Sequence, residues 1–273
     1  MTDTSLAHDL VTDEAPSPTR VAWRGLPWRG VLGVVVALLV WELLYATHAV
    51  SGQYLPSVQT TLSALGNNAD SITSAAGTTL KAAVIGTIIG GLVGAVVGML
   101  SGYYRVLGDL TEWIVRSFRS IPSLAFIPVG ILFFGLSATM VTWLVALACV
   151  WPVLVNTRYA ARSLPREYRE SSVVLHLSKL QFLTRVVLPA CTPSLVSGLK
   201  TSIAIGLVAT ISAELIVGTG GLGGLATTAQ QTPDIGLVYA VIVVGGWLGW
   251  LITWLIGLGE TRLLAWNYRR GGR

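Results

Sequence analysis

Charge is what this sequence has least of: Asp, Glu, Lys and Arg make up 11% of 273 residues, against roughly 25% in a soluble globular domain. That deficit excludes an ordinary water-soluble enzyme domain. Cysteine is confined to Cys149 and Cys191, both at or near apolar runs, so a disulfide framework has no support and both read as small apolar fillers. Histidine is confined to His8, His48 and His176, far apart in the chain. With neither H-E-x-x-H nor a paired-cysteine motif, no metal site is expected. No G-x-x-x-x-G-K-[ST] segment occurs, so the chain has no P-loop for ATP, and any ATP-driven step needs a separate subunit. The 30 glycines follow no three-residue period and 53% of residues are hydrophobic, which rules out collagen and disorder.

Apolar runs fill the space that charge leaves. A mean hydropathy of +0.69 indicates an all-α polytopic membrane protein. Six stretches, near 31–49, 82–102, 115–136, 139–160, 191–217 and 236–257, approach or exceed the ~20 residues that cross a hydrocarbon core. Arg116, Arg119 and Pro122 interrupt the third, which is expected to be a broken helix. Residues 1–20 are polar with no apolar core, unlike a secretory signal, so the first span is expected to be retained. The organisation is then a tail at 1–30, a six-span membrane domain at 31–260 and a basic tail at 261–273.

The formal charge of +5 does not point to nucleic acid, because the basic residues stand in short groups between apolar runs. They alternate: Arg20, Arg24 and Arg29; Arg105, Arg116 and Arg119; Arg158, Arg162, Arg166, Arg169, Lys179 and Arg185; and Arg262, Arg269, Arg270 and Arg273. The opposite connections, near 50–79, 137–138 and 218–235, contain no Lys or Arg. The positive-inside rule places both termini in the cytoplasm, and Lys81 and Lys200, near span ends, can snorkel.

Within the second span, Gly86, Gly90, Gly94, Gly98 and Gly102 form a ridge with a four-residue step. Such a ridge lets another helix approach closely, either inside the subunit or at a dimer seam. Carboxylates in spans are costly. Glu42 reads as a satisfied packing group, while Glu214, with Thr210 and Ser212 nearby, either gates an outer mouth or makes a capping or interhelical bond. Trp143, Trp151, Asn156, Thr201 and Thr210 are pathway candidates for which packing is the alternative. Gly218-Thr219-Gly220-Gly221-Leu222-Gly223 fits G-x-G-x-x-G, but it follows a membrane helix instead of a strand and is rejected as a dinucleotide loop. Ser197-Gly198-Leu199-Lys200 matches S-x-x-K without its partner motifs and reads as coincidence.

The connection at 162–189 is amphipathic: Tyr168, Val173, Val174, Leu177 and Leu180 recur near helical spacing, and Pro165, Glu167 and Glu170 suit a helix start. Its Glu170-Ser171-Ser172, His176 and Val186-Val187-Leu188-Pro189 resemble the Glu-Ala-Ala, Gly and Ile-x-Leu-Pro pattern of binding-protein-dependent ABC importer permeases, in register. Ser120-Ile121-Pro122-Ser123-Leu124-Ala125-Phe126-Ile127-Pro128 with Phe134-Gly135 looks like the taurine, alkanesulfonate and nitrate group, as do Pro152, Asn156, Thr157, Ala213-Glu214-Leu215 and Gly220-Gly221-Leu222-Gly223.

The resemblance implies a type I importer fold with a cytoplasmic coupling helix around Glu170 to Leu180. Glu170 would be its polar anchor and Ser171, Ser172, His176, Leu177 and Leu180 part of the coupling surface. His176 replaces the family's turn-forming glycine, so either the turn is strained there or the helix ends elsewhere. Further implied are a second permease subunit as a homodimer, two ATPase subunits carrying ATP and magnesium, an external substrate-binding protein, and an inner-membrane location. The chain itself would carry no cofactor and no catalytic residue. A sulfonate such as taurine, nitrate and pyrimidine vitamin precursors are the candidate cargoes. Because no Arg or Lys lies in mid-span, specificity is expected to reside in the binding protein. The competing class is a secondary transporter with Glu42 or Glu214 as the ion-coupling carboxylate.

Overall fold

The computed structural model describes residues 28–263, and the side chains of 30–258. The expected tails at 1–30 and 261–273 lie almost wholly outside the described residues. Helix α1 (Trp28–Ala46) belongs to a unit that ends at Val50. Its 19 residues extend about 28 Å at 1.5 Å per residue. It closes on His48, which adopts a φ of 55°.

From Ser51 onward the second unit is helical throughout its described regular elements. Helix α2 (Val58–Asn67) begins where Ser57 accepts the Thr60 N–H. Helix α3 (Ala69–Tyr103) follows at once, and α4 (Arg105–Phe118) turns off its end. A short 3-10 turn over Ser123–Phe126 leads to α5 (Ile127–Phe134). Next come α6 (Ala138–Arg162), α7 (Arg166–Val174), the single turn α8 (Lys179–Phe182), a π-helical stretch over Leu183–Val187, α9 (Leu188–Val217), α10 (Leu222–Gln231) and α11 (Ile235–Leu263).

Four helical runs are long and apolar enough to cross a membrane: α3, α6, the run from α8 to α10 that contains α9, and α11. The expected break in the third span is present: α4 and the segment through α5 are bent by 89°, the geometry of a broken span or a re-entrant loop. Arg119 to Pro122 sit at the break, where Pro122 cannot donate an N–H to a continuing helix. Counting that pair gives five spans; the expected first span, near 31–49, corresponds to α1, whose apolar stretch Gly30–Ala46 is shorter.

The expected start of the second span at residue 82 is corrected: α3 starts at Ala69. Its first turns carry Ser and Thr on the outer face, which hides them from a hydropathy reading. Ile72, Ala75 and Thr79 keep the buried side in step. The stretch 50–79 is accordingly helical for most of its length.

The glycine ridge of α3 packs inside the subunit, on α6. A Cβ at Gly86 would lie 2.7 Å from Val145, at Gly94 2.6 Å from the Val150 carbonyl and at Gly98 2.6 Å from the Leu154 carbonyl. At Gly90 it would collide with the Ala146 carbonyl. Glycine therefore lets the two backbones touch, which substitutes for the hydrophobic drive that lipid does not supply. Helix α9 closes the other side of α6 through a reciprocal brace. Ser202 Oγ donates to the Cys149 carbonyl at 2.8 Å, and the Cys149 thiol donates to the Ser202 carbonyl at 3.2 Å. Cys149 is thus a hydrogen-bonded partner as well as a filler, whereas Cys191 is a buried filler beside Phe182 and Val187.

Candidate functional site

The amphipathic connection folds into an elbow at the arginine-rich end of the bundle. Helix α7 stops at Val174, so the expected coupling segment around Glu170 to Leu180 is a helix end, a turn and the single-turn α8. The stop is a Schellman turn: His176 N–H donates to the Val173 carbonyl at 3.0 Å and Leu177 N–H to the Ser172 carbonyl at 2.9 Å. This pattern requires a left-handed residue, and His176 takes a φ of 48°. Of the alternatives left open by the sequence, the turn at His176 is the one present, and the helix ends just before it. A capping box then restarts the chain: Ser178 Oγ accepts the Gln181 N–H, and Gln181 Oε1 accepts the Ser178 N–H.

The elbow presents Tyr168, Val173, Val174, Leu175 and Leu180 as exposed apolar side chains, while Leu177 is half-buried and Glu170, Ser171 and His176 are exposed. Ser172 is half-buried and bonds the Arg169 carbonyl. The inner side is anchored. Phe182, Leu183 and Val187 pack with Ala161, Cys191 and Tyr103, and the Arg169 guanidinium lies 5.2 Å from the Tyr103 ring centre. The elbow is thereby packed against α3, α6 and α9.

At the opposite end, Glu214 is 1% exposed. Its Oε2 accepts from Thr79 Oγ1 at 2.8 Å and from the Gly223 N–H at 3.1 Å, and Thr79 Oγ1 in turn accepts from the Leu222 N–H at 2.8 Å. One carboxylate therefore joins α3, α9 and the start of α10. A Cβ at Gly221 would collide with the carboxylate, which accounts for the glycine-rich stretch without any dinucleotide. Of the two sequence alternatives for Glu214, the interhelical bond is the arrangement present. Thr210 is also buried and bonds the Gly206 carbonyl of its own helix.

Two cavities lie toward the basic end. One, of about 360 Å³, is lined by Trp151, Asn156, Thr201, Phe126, Pro152 and Arg119 among others. Three pathway candidates, two from α6 and one from α9, thus meet in one space, while Trp143 packs against Phe134 outside it. Phe118 stacks on Trp151 with ring centres 6.3 Å apart. The second cavity, of about 440 Å³, lies between α4 and the end of α6 and contains Glu112, Arg116, Arg119, Arg158 and Arg162. Glu112 bonds Arg158 at 2.9 Å and Arg116 at 2.7 Å.

The sequence model of the binding-protein-dependent transport system inner membrane component matches residues 90–270. The chain belongs to that family. Among the relatives of this permease, a protein of Methanocaldococcus jannaschii assigned as an ABC transporter permease is 25% identical over 239 residues, covering 85% of this chain and 89% of that one. One of Escherichia coli assigned as an aliphatic sulfonates transport permease is 30% identical over 251 residues, covering 89% and 92%. The bicarbonate transport system permease of Synechococcus elongatus matches at 30% over 173 residues, 63% of this chain and 59% of that protein. The inward-facing MetNI methionine ABC transporter shares the fold, with a TM-score of 0.57 at 22% identity over 71% of this chain and 94% of the other.

Sequence reasoning about the permease missed Thr79, Glu112 and Phe182, which hold the Glu214 node, the arginine cluster and the elbow. Only long-range contacts reveal them. Glu112 did carry one local signal, its four-residue spacing from Arg116.

Proposed function

We propose that this permease subunit conducts a small solute inward by alternating access, driven by two separate ATPase subunits that dock on the α7–α8 elbow. In this reading the chain crosses the membrane six times, with both termini in the cytoplasm. It pairs with a second copy and receives cargo from an external binding protein at its lysine-free stretches near 50–79 and 218–235. It performs no chemistry itself, and ATP and magnesium belong to the ATPases. A sulfonate such as taurine, or nitrate, is the proposed cargo class, in keeping with relatives assigned to sulfonate, nitrate and bicarbonate import.

The observation that carries this reading is the elbow. Val173, Val174, Leu175 and Leu180 are each at least two-thirds exposed on a rigid turn anchored to three long helices. Apolar side chains held out in this way at a polar, arginine-rich end suit a partner's groove. An ion-coupled secondary transporter leaves the elbow without a purpose, and one coupled through Glu214 instead of Glu42 would have to break the Glu214 node.

Co-expression of the chain with its ATPase and binding protein tests the proposal. Val173→Asp with Leu180→Asp is expected to abolish ATPase co-purification and uptake into proteoliposomes, with the subunit's own melting temperature unchanged. Uptake by the subunit alone, without ATP, would overturn it.

A further inference from the structure

We infer that the cavity between α4 and the end of α6 is an oxyanion-binding site in which Arg119 and Arg116 are the ligand-facing donors and Arg158 is the buried support. Four guanidiniums face one carboxylate there, a net charge of +3. Glu112 is committed to Arg158 and Arg116, with Arg162 at 3.9 Å. Arg119 has no carboxylate within 4.0 Å among the described residues. The positive-inside rule accounts for arginines at this end but not for their convergence on one concavity. The Arg158 side chain is only 11% exposed and is held by Glu112, so the site is built around a fixed charge. A guanidinium offers planar paired donors that match sulfonate, carboxylate or phosphate oxygens.

Position adds a second argument. Arg119 and Val155 line both this cavity and the one containing Trp151, Asn156 and Thr201. An anion leaving the inner chamber therefore meets Arg119 first and the wider arginine basin next. Placing the site on the cargo route rests on the importer reading; the binding itself does not. The same chemistry also fits the phosphate of a lipid headgroup, so the ligand source must be separated by experiment.

The test uses the full chain in nanodiscs, following thermal unfolding with sulfate against chloride at equal ionic strength. In phosphatidylcholine discs, sulfate is expected to raise the melting temperature by several degrees. The shift should vanish in Arg119→Gln, persist in part in Arg119→Lys, and remain complete in Lys81→Gln on α3. Arg116→Gln, a change at a largely exposed side chain, provides a second variant should Arg119→Gln fold poorly. A parallel comparison without sulfate replaces phosphatidylcholine by phosphatidylglycerol. Stabilisation by that lipid alone, abolished in Arg119→Gln, keeps the oxyanion site but overturns its place on the cargo route. Absence of both shifts, or shifts undiminished in Arg119→Gln and Arg116→Gln, overturns the site itself.

Discussion

His176 occupies a position where a side chain is costly, since a left-handed L-residue loses about 1–2 kcal/mol relative to right-handed backbone. His tolerates it better than most residues, and a β-branched residue worst. His176→Gly should retain ATP-coupled uptake and slightly raise thermal stability, whereas His176→Val should unwind the turn and lower coupling; paired uptake and ATPase assays check both. Glu214 is a second residue whose role depends on partners. Glu214→Leu and Thr79→Val each remove the shared bond, and a double-mutant cycle on thermal unfolding should give a coupling of about 0.6–1.7 kcal/mol, the range for interhelical bonds in membranes. Strict additivity would show that the bond between Glu214 and Thr79 contributes no coupling energy. The strain at His176 was legible, because the pattern around it asks for glycine. The Glu214 bond to Thr79 was not, because the two residues are 135 positions apart.

Among the elements, the α3–α6 pair carries the sharpest steric demand. Gly94→Leu would force the backbones apart at the Val150 carbonyl. The expected outcome is loss of folded monomer, with little material surviving detergent extraction and size-exclusion chromatography. A monomer that folds normally but fails to pair would instead place the ridge at a dimer seam. The ridge itself was evident from glycine spacing, and so was the break in the third span from Arg116, Arg119 and Pro122. Helices α2 and α10 were not evident. Both are 10 residues long and rich in Thr, Ala and Gly, so they show neither a long apolar run nor a wide amphipathic stripe. Their helical state depends on burial of Ala64, Leu222 and Ala226 in a shared core with α11.

For the whole molecule, the two ends of the bundle differ in kind. The basic end holds the elbow and the arginine basin, and the other holds α2, α10 and the Glu214 node. Orientation in the membrane decides which partner meets which end. Single cysteines placed at Ser163 and at Thr232, in a background lacking Cys149 and Cys191, should react with an impermeant maleimide from opposite sides. Ser163 should label only in inside-out vesicles, and Thr232 only in right-side-out ones. Labelling of both from one side would overturn the topology derived from arginine placement.

Composition, hydropathy and the spacing of arginines and glycines determined by themselves that the chain is a helical membrane protein, where its long spans lie and which connection is amphipathic. Those properties follow from the transfer of side chains and backbone between water and lipid, which each segment undergoes locally. Tertiary structure alone decided that Glu214 is a brace and that Arg116, Arg119, Arg158 and Arg162 share one cavity. These outcomes depend on which distant segments come within hydrogen-bonding and packing distance, and that is fixed only once α3, α6 and α9 have closed on one another.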